Sequence, residues 1–305
     1  MTAADAVSSC PAPAAMSIDV EEWFQVENLR RVVSRDSWDG RERRLELTMD
    51  RMLSVLDKQG VRATFFVLGW TAERSPQLVR TIASSGHEVA SHGYGHELLQ
   101  GLGEAGFRDD VTRSKGVLED LVGQPVEGYR APSFSITDWA LPILRDVGFR
   151  YDSSVLPISF RHSRYGRLGG DIEPVAMRSG ITEVSLSCLR IAGQALPWSG
   201  GGYFRLVPYP LFRWGIRRIL GSSRPYVFYI HPWEFDHEQP RLRGLKRSER
   251  LRHYLNLERT EARWTALLRD FRWLTIRELI ARHQPADTPA GIDTWTGEAG
   301  VIACP

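Results

Sequence analysis

The sequence predicts an α/β fold built on a parallel sheet, either open or closed into a barrel. Two observations carry this. Short apolar, β-branched or aromatic runs alternate with stretches of helical periodicity along most of the chain. Polar residues also follow the predicted strands, at Asp19, Glu21, Ser91, Arg130, Asp152 and His231. In a barrel of parallel strands such residues gather at one C-terminal mouth, where active sites are built.

The elements follow in order. Residues 16–20 read as a short buried strand with carboxylates at its end. Leu45, Met49, Met52, Leu53 and Leu56 recur at helical spacing, and Gly60 ends that helix. Residues 61–68 (VRATFFVL) are β-branched and aromatic, hence a strand. Ser75-Pro76 opens a second helix, with Leu78, Val79 and Ile82 inward and Gly86 at its end. Residues 87–91 form the next strand and run into a histidine pair. A helix over 107–121, a strand near 128–130, a helix over 137–147 and a strand over 149–152 repeat the pattern. Beyond Pro157 the signal weakens. There 181–189 alternates like a strand, Gly200-Gly201-Gly202 reads as a flexible loop, and 208–220 as a helix. The apolar strand 226–230 precedes His231, and a last helix and strand run through Ile280.

With 305 residues, 42% of them hydrophobic, the chain can bury a substantial core. A formal net charge of +2 is too even to argue for nucleic acid as a partner. Cys10, Cys188 and Cys304 are too dispersed for a disulfide framework or a CxxC site, which favours a reducing compartment. Residues 1–15 lack the basic start and apolar core of a secretory signal and read as a flexible leader, with Met16 an alternative start. No run of about 18 apolar residues suggests a spanning helix, so a soluble cytoplasmic protein is expected. No linker or internal repeat divides the chain. One domain over 16–283 is expected, its part from about 235 specific to a subfamily, with a polar tail over 284–305. The basic run 241–253 reads as a solvated face that can also meet an anionic glycan or an inner-membrane surface.

The chemistry concentrates in a few places. In Ser91-His92-Gly93-Tyr94-Gly95-His96 the two imidazoles are spaced to share one side of a helical turn and chelate an ion. Gly93 and Gly95 favour a tightly packed loop or helix start, and the lack of Glu after His92 excludes the HExxH protease pattern. Asp19, Glu21 and Glu22 crowd the end of an apolar strand, where like charges repel unless a cation compensates. Two histidines and a carboxylate commonly hold a divalent metal with a position open to water. A second carboxylate, free of the metal, can deprotonate that water. Arg130, held by the backbone restriction of Ala131-Pro132, can clamp Asp19. His231 closes a core strand, a position more often structural, and its value depends on the others. The combination describes a hydrolase.

Together these residues resemble the NodB-homology polysaccharide deacetylases, metal-dependent carbohydrate esterases. The family's first motif, an apolar strand ending in paired acids, is similar to Ser17-Ile18-Asp19-Val20-Glu21, its second to the histidine pair, and its third, R-x-P, to Arg130-Ala131-Pro132. A looser fourth falls on Tyr151-Asp152-Ser153-Ser154, and the fifth on Ile230-His231. Fuller strings, including Gly200-Gly201-Gly202-Tyr203-Phe204-Arg205 and His231-Pro232-Trp233-Glu234, resemble the exosortase-associated exopolysaccharide branch. The chain departs from the family in having Val20 between its acids and Ser133 where an aromatic is common.

The resemblance implies a distorted (β/α) barrel and one divalent metal, zinc, with cobalt or nickel as alternatives. It implies N-deacetylation of N-acetylhexosamine units in an oligo- or polysaccharide. Glu21, His92 and His96 would hold the metal, with Glu22 the rival carboxylate. Asp19 would be the base, oriented by Arg130, and His231 the acid that protonates the leaving nitrogen. A backbone N–H near Ser133 would meet the oxyanion, and Asp152 would hold or tune one of these groups. Trp23, Tyr203 and Trp233 are candidates for contact with sugar rings. Rival expectations are a non-catalytic sugar-binding protein on the same barrel and an amidohydrolase of small cyclic amides.

Overall fold

The computed structural model describes residues 12–157 and 175–283. The expected tail and most of the expected leader lie outside them. In chain order the first half comprises β1 (Ala14–Val20), α1 (Leu45–Gln59), β2 (Thr64–Val67), α2 (Gly69–Arg74), α3 (Pro76–Ser84), β3 (Glu88–Ser91), α4 (Leu99–Val122), β4 (Gly128–Tyr129), α5 (Ala140–Val147) and β5 (Tyr151–Asp152). The second half comprises β6 (Val175–Arg178), β7 (Ile181–Val184), β8 (Cys188–Ile191), β9 (Gln194–Pro197), α6 (Gly201–Leu206), α7 (Tyr209–Leu220), β10 (Tyr226–Ile230), α8 (Arg247–Tyr254), α9 (Thr260–Asp270), β11 (Trp273–Leu274) and α10 (Ile276–His283).

The main sheet runs β10-β1-β2-β3-β4-β5-β7-β6, with β11 added beside the start of β1. All its pairings are parallel except β6–β7, and the sheet curls into a distorted half-barrel, as expected. The registers Ser17↔Tyr229, Asp19↔Phe66, Val67↔Ser91, Ser91↔Tyr129 and Tyr129↔Asp152 bring the C-terminal strand ends to one edge. The polar residues read from the sequence therefore converge for a topological reason.

Side-chain alternation in β1 decides which residues face inward. Ala14, Met16, Ile18 and Val20 join the large core between sheet and helices, whereas Ala15 belongs to the smaller cluster inside the curl. Ser17 and Asp19 share the parity of Ala15, so they enter the interior, where they meet Arg130. The helix ended by Gly60, in the left-handed conformation at φ 63°, buries Leu45, Met49, Met52 and Leu56 as the spacing predicts.

Several boundaries differ from the sequence reading. The first strand starts at Ala14, because the small residues before Met16 pair with Tyr226 and Val227. The helix expected from residue 107 begins at Leu99, with a break at Gly103 that interrupts its periodicity. The alternating run 181–189 splits between β7 and a separate β8–β9 hairpin. Gly200-Gly201-Gly202 is not a loop but leads into α6, and its lack of side chains serves packing. A Cβ at Gly200 would lie 2.4 Å from the Tyr229 hydroxyl, and one at Gly201 would lie 2.1 Å from a Glu234 carboxylate oxygen. The basic run is not wholly solvated, since α8 exposes Arg247, Arg250 and Arg252 but buries His253 completely. Among the described residues no helix is long and apolar enough to cross a membrane.

One buried residue gives the fold a pH dependence. His87 accepts a hydrogen bond at Nδ1 from the Ala63 N–H at 3.3 Å, so the ring must be neutral there. Burial, and then the positive charge of Arg62, push its pKa from 6.5 down to about 4. Its contribution is complete above pH 6.5 and is lost progressively as pH falls to about 4, where the unfolded chain binds the extra proton. Removing that difference is worth about 3 kcal/mol. We expect His87→Leu to flatten the fall in stability between those pH values, followed by denaturant midpoints. Parallel curves for the variant and the parent would refute it.

Candidate metal centre and active site

Glu21, one parity step beyond Asp19, lies at the centre of the converging edge. Its Oε1 is 3.0 Å from His92 Nε2 and 3.0 Å from His96 Nε2. All three residues are buried, and each offers a ligand atom within 4.8 Å of the others. His92 Nδ1 lies 2.7 Å from the Arg130 carbonyl, to which only an Nδ1–H can donate. In the neutral ring the Nε2 lone pair then faces an anionic oxygen, an arrangement that needs a proton or a cation between the two. Burial alone would raise the Glu21 pKa, but the charges of His96 and His231 and the hydrogen bonds from His92 and His96 hold it well below the usual range. This donor set, with one tautomer fixed by a backbone carbonyl, fits a divalent ion of the zinc class.

The histidines reach Glu21 from a loop, not from the helical turn that their spacing allows. His96 has φ 53°, a left-handed conformation rare for a side chain of this kind. The glycines make the loop possible. A Cβ at Gly93 would lie 2.8 Å from the Asp110 carboxylate, and one at Gly95 would lie 2.0 Å from the Arg35 guanidinium. Asp110 in turn accepts from the Tyr94 and Gly95 N–H groups at 2.7 and 3.2 Å. Glu22, of opposite parity to Glu21, turns to the start of α1 and accepts from the Arg44 and Leu45 N–H groups. Glu21, not Glu22, thus meets the histidines.

Asp19 and Arg130 form a fully buried ion pair, Nη1 to Oδ1 at 2.7 Å. Arg130 also donates to Ser17 Oγ, to Ser153 Oγ and to the Ser153 carbonyl, and its guanidinium lies 4.0 Å from the Phe66 ring centroid. His231 Nε2 lies 3.9 Å from Asp19 Oδ2, while its Nδ1 is 2.8 Å from Glu234 Oε1. Burial would lower the His231 pKa, but Glu21, Glu234 and Asp19 outweigh it and push it up to about 9. Arg205 pairs with the other oxygen of Glu234 at 2.6 Å. Neither Glu234 nor Arg205 was singled out from the sequence. An acid three residues after a residue opening a helical turn is the signal for Glu234, whereas Arg205 carries none.

Other expected residues fall in different places. Asp152 is buried off this cluster, accepting from Ser154 Oγ at 2.5 Å, while Ser154 Oγ receives the Ala131 N–H. The parallel register sets it opposite Glu183, and burial pushes both carboxyls upward. Its reach to the site is therefore indirect, through the loop carrying Pro132. Ser133 and Phe134 in that loop take φ of 51° and 57°. Such conformations cost about 1–3 kcal/mol each and collect at functional sites. The N–H groups of Phe134 and Ser135 are spent within the turn on Ala131 and Pro132, and Ser133 lines the same cavity as Glu21, His92 and His96.

That cavity has a volume of about 500 Å³, with Asp19, Glu21, His92, His96 and His231 in its lining. Tyr203 and Trp233 line it as well, together with Leu206, Leu251 and Arg252 from α6 and α8. Trp23 does not. It is buried against Phe24 and donates from its indole to the Glu42 carbonyl, because the chain turns inward directly after Glu22.

We expect the chain to bind one divalent ion with 1:1 stoichiometry, measured by elemental analysis after dialysis. Glu21→Gln and His92→Ala should each lose it. Glu22→Gln should retain the ion and lose about 1 kcal/mol of stability through its weakened helix start. Retention of metal by Glu21→Gln, or its loss in Glu22→Gln, would contradict the assignment of ligands.

Residues 39–151 match the family described as "Polysaccharide deacetylase", and residues 153–281 match "Domain of unknown function (DUF3473)". β5, where the first region ends, pairs with β7 of the second, and β1, which precedes both regions, pairs with β10 of the second. The chain is 31% identical over 115 residues to a peptidoglycan deacetylase of Helicobacter pylori, covering 38% of this chain and 39% of that protein. It is 35% identical over 88 residues to a peptidoglycan-N-acetylglucosamine deacetylase of Bacillus cereus, covering 29% and 32% respectively. The chain thus spans well under half the length of these relatives. A solved structure from Mycobacterium smegmatis, named as a polysaccharide deacetylase, matches 90% of each chain with a TM-score of 0.58 and 25% identity. Residues 39–151 thus resemble the polysaccharide deacetylases in sequence, and the chain shares the fold of that solved structure over 90% of its length.

Proposed function

We propose that the chain removes the N-acetyl group from N-acetylhexosamine units of a bacterial exopolysaccharide or its lipid-linked precursor, releasing acetate. The observation that carries this reading is that Asp19 and His231 face one cavity beside the Glu21–His92–His96 cluster. A base, an acid and a metal-type donor set are the parts that amide hydrolysis needs. Peptidoglycan relatives support an N-acetylated glycan as substrate.

In this reading Glu21, His92 and His96 hold a divalent ion, zinc or alternatively cobalt or nickel. When bound, such an ion supplies a Lewis acid that acidifies water and polarises the acetamide carbonyl. Asp19, fixed by Arg130, accepts the proton of the attacking water. The Ser133 N–H, in a loop that lines the cavity, meets the negative charge that develops on the carbonyl oxygen. His231 gives a proton from Nε2 to the sugar nitrogen as the C–N bond breaks, leaving a free amine and acetate. Tyr203 and Trp233 are the aromatic surfaces available to sugar rings.

The exosortase-associated branch, a cytoplasmic location and peripheral membrane contact belong to the same proposal. Exposed Arg247, Arg250 and Arg252 on α8, beside Leu251 at 60% exposure, support contact with an anionic amphipathic surface.

The zinc-loaded chain should release acetate from chitooligosaccharides or lipid-linked N-acetylhexosamines. Asp19→Asn should lower kcat by about 10²–10⁴-fold with metal content intact, and Ser133→Ala should stay within about threefold because the backbone acts there. Loaded protein that releases no acetate from any such substrate would sink the reading. Metal loss in Asp19→Asn would instead reverse the two carboxylate roles.

A further inference from the structure

The region matched only to a domain of unknown function, residues 153–281, supplies His231 and everything that touches its Nδ1 side. We infer that this region serves as the acid-bearing half of the active site, with Glu234 and Arg205 as the residues that position His231. The inference rests on the deacetylase reading and names a support that neither the family match nor the ordered motifs assign.

The geometry begins at the end of β10. Pro232 opens a single helical turn after His231, and that turn folds Glu234 back over the residue it follows. Glu234 Oε1 accepts from the His231 backbone N–H at 3.2 Å and from its ring Nδ1–H at 2.8 Å. One oxygen thus fixes both the backbone and the ring of the same residue. With the proton held on Nδ1, the ring turns Nε2 toward Asp19 and the cavity.

Arg205 then fixes Glu234. Its Nε donates to Oε2 at 2.6 Å, and its remaining nitrogens donate to the carbonyls of Arg252, His253 and Leu255 at the end of α8. Helix carbonyls of this kind form the negative pole of the helix and suit a guanidinium. Gly201 leaves the space that Glu234 occupies. Trp233 stacks on the His231 ring at 5.3 Å and on His253 at 4.4 Å, which confines the imidazole from its face.

Two points separate positioning from simple packing. A buried ion pair is a poor means of stabilising a core, since apolar residues of similar volume often do as well or better. Its charge is useful where an ionisable partner needs orientation, and Glu234 has such a partner in His231. Asp152, to which the ordered motifs assign a tuning role, is instead spent on Ser154 and buried with Glu183.

The test uses the full metal-loaded chain with Glu234→Gln and Arg205→Lys, and chitotetraose as substrate. We expect Glu234→Gln to lower kcat by about 10–100-fold with KM within about threefold and metal content unchanged. Arg205→Lys should lie between it and the parent. A second readout is free of turnover. Long-range nitrogen–proton NMR of the imidazoles, taken above pH 9 where the His231 ring is neutral, should show its proton on Nδ1 in the parent and lose that preference in Glu234→Gln. Parent-like kcat in folded Glu234→Gln, or an unchanged His231 spectrum, would overturn the inference. If either variant fails to fold, the spectrum of the other decides. If the parent itself releases no acetate, the deacetylase reading fails, and the spectrum still decides whether Glu234 orients His231.

Discussion

A guanidinium removed entirely from water, that of Arg130, is the constraint on which the site depends. Moving such a charge into the interior costs several kcal/mol, and it is tolerated only with a close counter-ion and filled hydrogen bonds. Here Asp19 supplies the charge, and Ser17 and Ser153 supply the acceptors. The same contacts tie the first strand to the loops after the fourth and fifth. Removing either partner would strand a buried charge, at about 3–5 kcal/mol. Asp19 is therefore held in one orientation by the fold itself, the condition that the proposed base requires.

Four other carboxylates around the site follow the same rule of compensation. Glu21 is matched by two imidazoles, Glu22 by the open N–H groups of a helix, Glu234 by Arg205 and His231, and Asp110 by the backbone of the histidine loop. Of these, only the Glu21 cluster brings ligand-type atoms from three residues onto one point. A structural network would end in donors, whereas this one ends where a cation fits.

The two matched regions divide the chemistry between them. The first carries His92, His96 and Arg130, while Asp19 and Glu21 stand at the end of β1, ahead of both regions. The second carries His231 and the helices that wall the cavity. One sheet, through β5 with β7 and β1 with β10, carries the residues of both regions and of β1 to the same edge.

Much of this was legible in the chain itself. Local periodicity specifies the alternating strands and helices, and polar residues at strand ends mark the mouth of the sheet. Even the choice of Glu21 over Glu22 is implicit in the two-residue period of β1, since Asp19 and Glu21 share a parity. What depended on tertiary structure were contacts between residues distant in sequence. Arg205 reaches Glu234 across 29 positions, and the end of α8 across nearly 50. Gly200-Gly201-Gly202 looked flexible because the Tyr229 and Glu234 side chains that fill its space come from another element. Trp23 and Asp152 followed their expected neighbours in sequence, yet packing turned one into an aromatic core and the other toward Glu183. Periodicity reports which face of an element is apolar. It does not report which distant group will stand opposite a buried charge, and that pairing is what organises the site.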